Sequence, residues 1–123
     1  MYSIYIICYT QRRNIMNKKE IKRLLQNRER LIKRMMSLCR LIRGSVFKRY
    51  STCSRPECSC HNGKRHGPRW YVASSQDGRQ KQHYIPKEQV DAVKQGIDSY
   101  TELMRLIDNV TKINLSLMRK RSL

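Results

Sequence analysis

Three of the chain's five cysteines lie within eight residues of one another, and a histidine follows six residues later. The spacing is Cys53-x4-Cys58-x-Cys60, followed by His66. Zinc takes four thiolate or imidazole ligands at the corners of a tetrahedron. We therefore predict a zinc site formed by Cys53, Cys58, Cys60 and His66. His61 is the alternative fourth ligand, but it directly follows Cys60, and adjacent residues rarely reach two corners of one tetrahedron.

We expect this zinc site to be structural, because a catalytic zinc keeps one position open and four ligands stand close together here. Two other interpretations of the cysteines remain. They could be free thiols in a mobile loop, or a redox centre in which Arg55 and Lys64 lower thiol pKa values. The odd number of cysteines and their clustering disfavour a secreted disulfide scaffold and favour a reducing cytosol. The predicted localisation is therefore cytoplasmic.

Amphipathic helices are predicted on both sides of the cluster. The first covers residues 17–43, where Asn17 and Glu20 form a capping-box-like pair and Gly44 ends the helix. The second covers residues 86–123, with a proline at its first position. In both, apolar residues recur three and four positions apart, which gives each helix one apolar face. We expect an antiparallel two-helix hairpin that could pack as a coiled coil, with a homodimer through the same faces as the alternative.

The connection over residues 44–85 is predicted to form a small three-stranded antiparallel sheet that flanks the helices and carries the zinc-binding loop. Residues 45–50 and 70–74 are rich in β-forming residues, and Asp77-Gly78 is a strong hairpin signal before a returning strand. The facing pairs expected from this turn are Trp70 with Ile85, Tyr71 with Tyr84, Val72 with His83 and Ala73 with Gln82. The predicted fold class is therefore α+β.

Residues 1–16 are expected to be a disordered or marginal extension. The apolar run Ile4–Cys8 is short, no basic residue precedes it and no small-residue cleavage site follows, so we do not expect a signal peptide. Met16 stands just before the first predicted helix and is a candidate start codon. The mean hydropathy is −0.74, and no apolar run reaches the roughly 18 residues of a membrane span.

The charge of the chain is strongly unbalanced, with 27 Lys and Arg against 9 Asp and Glu and a net charge of +18. Residues 17–50 hold twelve basic and two acidic side chains. So much positive charge on a small chain calls for a polyanionic partner, first nucleic acid and second an anionic membrane surface. A solvated helix face is the alternative for the basic residues of the first helix.

We predict nucleic-acid contacts from two basic surfaces. The candidate residues are Lys22, Arg23, Arg30, Lys33 and Arg34 on a ridge of the first helix, and Arg69, Arg79, Gln80, Lys81 and Gln82 on the hairpin. Basic side chains supply phosphate contacts, while Gln80 and Gln82 could reach base edges. Further basic residues, among them Arg49, surround Tyr50, Tyr71 and Tyr84, which could stack on unpaired bases or pack in the core.

Several motifs follow one another in a specific order: Gly44-Ser45-Val46, the three clustered cysteines, Gly63, His66-Gly67-Pro68, Trp70-Tyr71 and Tyr84-Ile85-Pro86. Over residues 42–115 they resemble a small uncharacterised prokaryotic domain family, which implies a similar core followed by a helix and no function. The glycine-led opening, aromatic strand, basic hairpin and helix are also similar to the arm-type DNA-binding domain of tyrosine recombinases. That similarity implies a sheet that contacts DNA.

Together these observations predict a non-catalytic, zinc-stabilised nucleic-acid-binding protein, with DNA favoured over RNA, as an accessory of a mobile element or of transcription. A protein-interaction or dimerisation module built on the two helices is the alternative. We expect neither a membrane partner nor an enzyme. Nine acidic residues and three histidines give no Ser/His/Asp order or paired carboxylates, and we see no phosphate-binding glycine loop.

Overall fold

The computed structural model describes the backbone of residues 3–123 and the side chains of residues 17–123. In chain order the elements are α1 (Ser3–Ser37), β1 (Ser45–Ser51), β2 (His66–Gln76), β3 (Arg79–Ile85) and α2 (Val90–Arg119). Short 3-10 turns lie at Ser59–Asn62 and Lys87–Gln89. Two helices and one antiparallel sheet confirm the predicted α+β class. None of the helices in the described part of the chain combines the length and hydrophobicity that a membrane span needs.

The three strands form one antiparallel sheet in the order β1-β2-β3. The observed partners between β2 and β3 include Trp70 with Ile85, Tyr71 with Tyr84, Val72 with His83 and Ala73 with Gln82, as predicted. The turn fixes this register, because Asp77 and Gly78 both adopt positive φ, 52° and 74°. Positive φ at both central residues is the requirement of the type I′ hairpin turn.

Residues 39–102 form one compact unit, which contains the sheet, the cysteine-rich loop and the first part of α2. Its core consists of Val72, Ile85 and Val90, which are all buried. The partly buried residues packed against this core are Ile42, Val46, Trp70, Val93 and Ile97. One face of the sheet therefore packs on the beginning of α2.

The bounds of α1 differ from the prediction at both ends. The helix begins at Ser3, so Asn17 lies inside it and does not cap it. It ends at Ser37, six residues before the predicted end at residue 43. The following segment leaves the helix because it packs on α2, where the Ile42 N–H donates to the Gly96 carbonyl over 3.1 Å. The predicted extension over residues 1–16 falls on residues whose side chains lie outside the described ones, and it stays a prediction.

Residues 1–38 and 103–123 form the second compact unit, in which α1 and the later part of α2 run antiparallel. Two distant pairs show this direction. The Lys120 ammonium lies 3.0 Å from the Glu20 carboxylate, and the Arg28 guanidinium donates to the Asn114 side chain over 2.9 Å. The buried residues of this unit are Leu106, Ile113 and Leu117, on one face of α2. Antiparallel pairing of the helices is thus present in this unit.

Candidate metal centre and sheet surface

The cysteine-rich loop connects β1 to β2, and the ends of these strands bring its two ends together. Ser51 at the end of β1 pairs with His66 at the start of β2. Gly67 follows with a φ of 130°, and a Cβ there would lie 2.9 Å from the Arg49 carbonyl oxygen. Only glycine accommodates both this φ and this close approach without strain. The local sequence thus closes the loop at the position where His66 enters it.

The structure brings Cys53, Cys58, Cys60 and His66 into one cluster, whose ligand atoms all lie within 4.8 Å of one another. The Cys53 and Cys60 sulfurs are 3.6 Å apart, and the Cys58 sulfur lies 3.3 Å from His66 Nε2. Zinc bonded to sulfur at about 2.3 Å and to nitrogen at about 2.0–2.1 Å holds its ligands roughly 3.5–3.8 Å apart. The cluster is therefore a site that could hold a metal ion.

The alternative ligand, His61, has a different contact. Its Nε2 lies 2.9 Å from the Arg55 carbonyl oxygen and donates a hydrogen bond to it. This bond holds the loop backbone between the first two cysteines. Among the described residues, the cluster that could hold a metal includes His66 and not His61.

Backbone donors and burial shift the pKa values of the cluster's thiols in opposite directions. The Cys60 backbone N–H is the main cause that lowers the Cys58 pKa from 9.0 to about 6, and the side chains of Cys60, Cys53 and His66 lower it further. The Cys53 backbone N–H donates to Cys60 Sγ over 3.3 Å and lowers that pKa. Burial and the thiols of Cys58 and Cys53 outweigh this bond and raise the Cys60 pKa above 9.0. One thiolate is therefore available at neutral pH before a metal binds.

Cys60 is the most buried member of the cluster, with 1% of its surface exposed, whereas His66 is exposed. Cys53, Cys58 and Cys60 are free thiols, and so is Cys39 outside the loop. Three sulfurs and one imidazole nitrogen form a complete tetrahedral donor set that suits a structural zinc ion. If zinc is bound, the ion supplies cross-links between the two ends of the loop.

The five hairpin residues predicted to contact nucleic acid do not share one face of the sheet. In an antiparallel sheet, paired residues point to the same face. Arg69, Gln80 and Gln82 therefore share the face of Tyr71 and Tyr84, which lies opposite the core. We call this the aromatic sheet face, and it also carries Phe47 and Arg49 of β1. Arg79 and Lys81 point to the core side, at the exposed end of the hairpin.

Three rings cross the aromatic sheet face, one from each strand. The Phe47 and Tyr71 rings stack with their centroids 5.8 Å apart, and Tyr84 meets Tyr71 edge-on at 5.8 Å. The Arg49 guanidinium lies 5.2 Å from the Tyr71 ring centroid and donates to the Gln82 side chain over 2.9 Å. Tyr84 is 59% exposed. The face therefore presents an aromatic surface beside a guanidinium that is already oriented.

Sequence reasoning does not single out Phe47, and it groups Arg49 with the basic residues of the sheet without choosing it as a contact residue. The signal is the alternation of Phe47 and Arg49 along β1, which places both on one face of a strand. That signal becomes useful only once Phe47 is known to pair with Tyr71. No short turn sets this pairing, because a long loop separates β1 from β2.

The α1 ridge consists of Lys22, Arg23, Arg30, Lys33 and Arg34, all exposed, within about 120° of arc at 100° per residue. Its members have local partners: Lys33 lies 3.1 Å from Glu29, and Arg30 donates to Asn27 over 2.8 Å. These exposed contacts are weak and compete poorly with a phosphate. Arg28 belongs to the opposite face, where it bonds to Asn114.

The profile of a family described as a domain of unknown function, DUF6788, matches residues 18–95. This range contains the four clustered ligands, all three strands and the α1 ridge. No curated protein and no solved structure matches the sequence. Because the match covers more than half of the chain, the protein belongs to the DUF6788 family of domains of unknown function.

Proposed function

We propose that this protein is a non-catalytic, zinc-stabilised nucleic-acid-binding protein. The observation that carries the proposal is the aromatic sheet face, where rings from three strands share one face with Arg49, Arg69 and two glutamines. Positive charge, an exposed ring and side-chain amides together form the set that recognises phosphates, bases and base edges.

Zinc is the metal we assign to the cluster, because three thiolates and one imidazole at tetrahedral spacing suit it. Its role is to order the loop over residues 52–65. Cys60 is the one buried residue in that loop, so apolar burial contributes little to its order. The metal would hold the strand ends of β1 and β2, from which Arg49 and Arg69 project as partners in the sheet. The site therefore supports the binding surface and takes no part in a reaction.

Tyr84 is the best placed ring for a base, because 59% of its surface is exposed and it meets Tyr71 only by an edge. Unpaired bases stack on such rings without regard to sequence. Arg49 can bind an adjacent phosphate, since it gains a charge-assisted bond when it exchanges Gln82 for a phosphate oxygen. We therefore propose single-stranded nucleic acid as the preferred ligand of this face.

The α1 ridge supplies a second set of phosphate contacts that carries no sequence information. DNA is the first ligand to test and RNA the second, because the order of motifs in the sequence resembles the arm-type DNA-binding domains of tyrosine recombinases, and that resemblance favours DNA. A role as an accessory of a mobile element or of transcription is proposed on the same grounds.

The proposal is tested by fluorescence anisotropy of the zinc-loaded protein with labelled single-stranded DNA, duplex DNA and single-stranded RNA of one length. If about six phosphates are neutralised, log K falls with log salt at a slope of roughly −4 for single strands and −5 for duplex. We expect the single strands to bind more tightly than the duplex. Absence of binding to all three ligands at low salt would overturn the proposal.

A further inference from the structure

The later part of α2 is apolar on two opposite faces, and only one of them is buried within its unit. Leu106, Ile113 and Leu117 are 3%, 7% and 0% exposed. On the far side of the helix lie Met104, Ile107, Leu115 and Met118, with exposures of 43%, 38%, 44% and 52%. At 100° per residue these four and Thr111 fall within about 80° of arc. We call these five residues the outer stripe.

The polar atom at the centre of the outer stripe is already satisfied. The Thr111 hydroxyl donates to the Ile107 carbonyl of the preceding turn over 2.8 Å. Its methyl group can therefore be covered without leaving an unpaired donor, and an unpaired buried donor is the main cost of burying a threonine. The whole outer stripe is suited to contact with another apolar surface.

We propose that the outer stripe binds the same stripe of a second copy of this chain, antiparallel, with a two-fold axis at Thr111. The spacing of the stripe is symmetric about that residue, as a two-fold interface requires. The axis places Met104 against the partner's Met118, and Ile107 against the partner's Leu115. Each apolar residue then meets an apolar residue of similar size.

The charged residues beside the outer stripe favour a second copy of this chain as its binding partner. Asp108 and Lys112 lie along one edge of the outer stripe, and the axis brings Asp108 towards the partner's Lys112, within about 3 Å along the helix at 1.5 Å per residue. The two-fold axis repeats this pair, and it also brings Lys112 within about 3 Å of the partner's Lys112 along the helix, so two opposite-charge contacts flank one like-charge contact. Residues 87–123 hold seven basic and five acidic side chains, against twelve and two in residues 17–50. The stripe thus lies on the less basic of the two helices.

The expected dimer is weak. Five side chains from each copy form an interface at the low end for specific complexes, on the order of 1,000 Å² in total. Each copy carries +18, so long-range repulsion opposes association and salt screens it. Dimerisation should therefore strengthen with salt, whereas binding of nucleic acid should weaken. Failure of the dimer proposal can therefore be distinguished from failure of the proposed nucleic-acid binding.

The test is sedimentation equilibrium of the full zinc-loaded chain, freed of nucleic acid, at about 0.1 M and about 1 M salt. We expect a monomer–dimer equilibrium that tightens at the higher salt and is lost in Ile107→Glu and Leu115→Glu. Met36→Glu on α1 is the matched control, because Met36 is 81% exposed and lies outside the stripe. This control should dimerise as the unmodified chain does.

A charge exchange on exposed residues tests the geometry without disturbing the fold. Asp108→Lys and Lys112→Asp should each weaken the dimer several-fold at about 0.1 M salt, where these exposed contacts are least screened, and the double exchange should restore it. A chain that stays monomeric at high salt, equal loss of dimer in Met36→Glu, or a double exchange that restores nothing would overturn the inference. Circular dichroism of each variant confirms that the helices are intact.

Discussion

Replacement of Tyr84 by alanine should weaken binding of single-stranded nucleic acid about 5- to 150-fold. The ring is 59% exposed, so one face is available for a base. Base stacking on an aromatic side chain contributes about 1–3 kcal/mol, and each 1.4 kcal/mol changes the dissociation constant about tenfold. Because tyrosine carries no charge, the slope of log K against log salt should stay the same while the whole line moves to weaker binding.

The assay is fluorescence anisotropy with a labelled single-stranded oligonucleotide across a salt series, with zinc present throughout. Tyr84→Phe should bind as the unmodified protein does, because it keeps the ring. Tyr50→Ala is the matched control, since Tyr50 is 51% exposed on β1 and lies outside the row of three rings. Unchanged affinity in Tyr84→Ala, or an equal loss in Tyr50→Ala, would refute the stacking argument.

Four further outcomes are expected. The purified protein should contain one zinc ion per chain by elemental analysis. Cys60→Ser should lose the bound zinc, whereas Cys39→Ser, which lies outside the cluster, should keep it. A full zinc content in Cys60→Ser would contradict the proposed site. In metal-free protein at pH 7, iodoacetamide should modify Cys58 first, because a pKa of about 6 makes it a thiolate; the rate should fall as the pH drops below 6, and zinc should protect it. Mass spectrometry of the alkylated peptides checks this order, and first modification at buried Cys60 would contradict it. Gly96→Ala should lower the melting temperature despite the better helix propensity of alanine, because its Cβ would lie 3.0 Å from Ile42 and 3.1 Å from the Arg40 carbonyl oxygen. A raised melting temperature would contradict this, since it would show that the segment before the sheet can move away from the added Cβ without loss of stability. Arg49→Gln should reduce the salt slope by about 0.7 on single strands, and an unchanged slope would remove Arg49 from the phosphate contacts.

The parts of the fold that follow from the sequence are those fixed by neighbouring residues. The pairing of Tyr71 with Tyr84 follows from a turn whose two residues adopt positive φ. The clustering of Cys53, Cys58, Cys60 and His66 follows from their spacing and from the chemistry that these residue types share. Both predictions are confirmed, and both depend on residues that lie close together in the sequence.

The parts that the sequence does not give depend on contacts between distant residues. No glycine or proline precedes Gly44 to mark the end of α1 at Ser37, and the end instead reflects the bond from Ile42 to Gly96. A simple propensity argument treats Gly96 as a weak point of α2, yet the structure uses it for this close approach. The position of Phe47 beside Tyr71 likewise depends on a pairing across the metal loop. The sequence therefore predicts the part of the aromatic sheet face on β2 and β3, but not the part on β1.

The most direct test of the central claim is ultraviolet crosslinking of the zinc-loaded protein to single-stranded DNA, followed by mass spectrometry of the modified peptides. The proposed surface predicts adducts on Tyr84 or Tyr71, with weaker or no adducts on Tyr50. Adducts on Tyr50 with none on the aromatic sheet face would contradict the account.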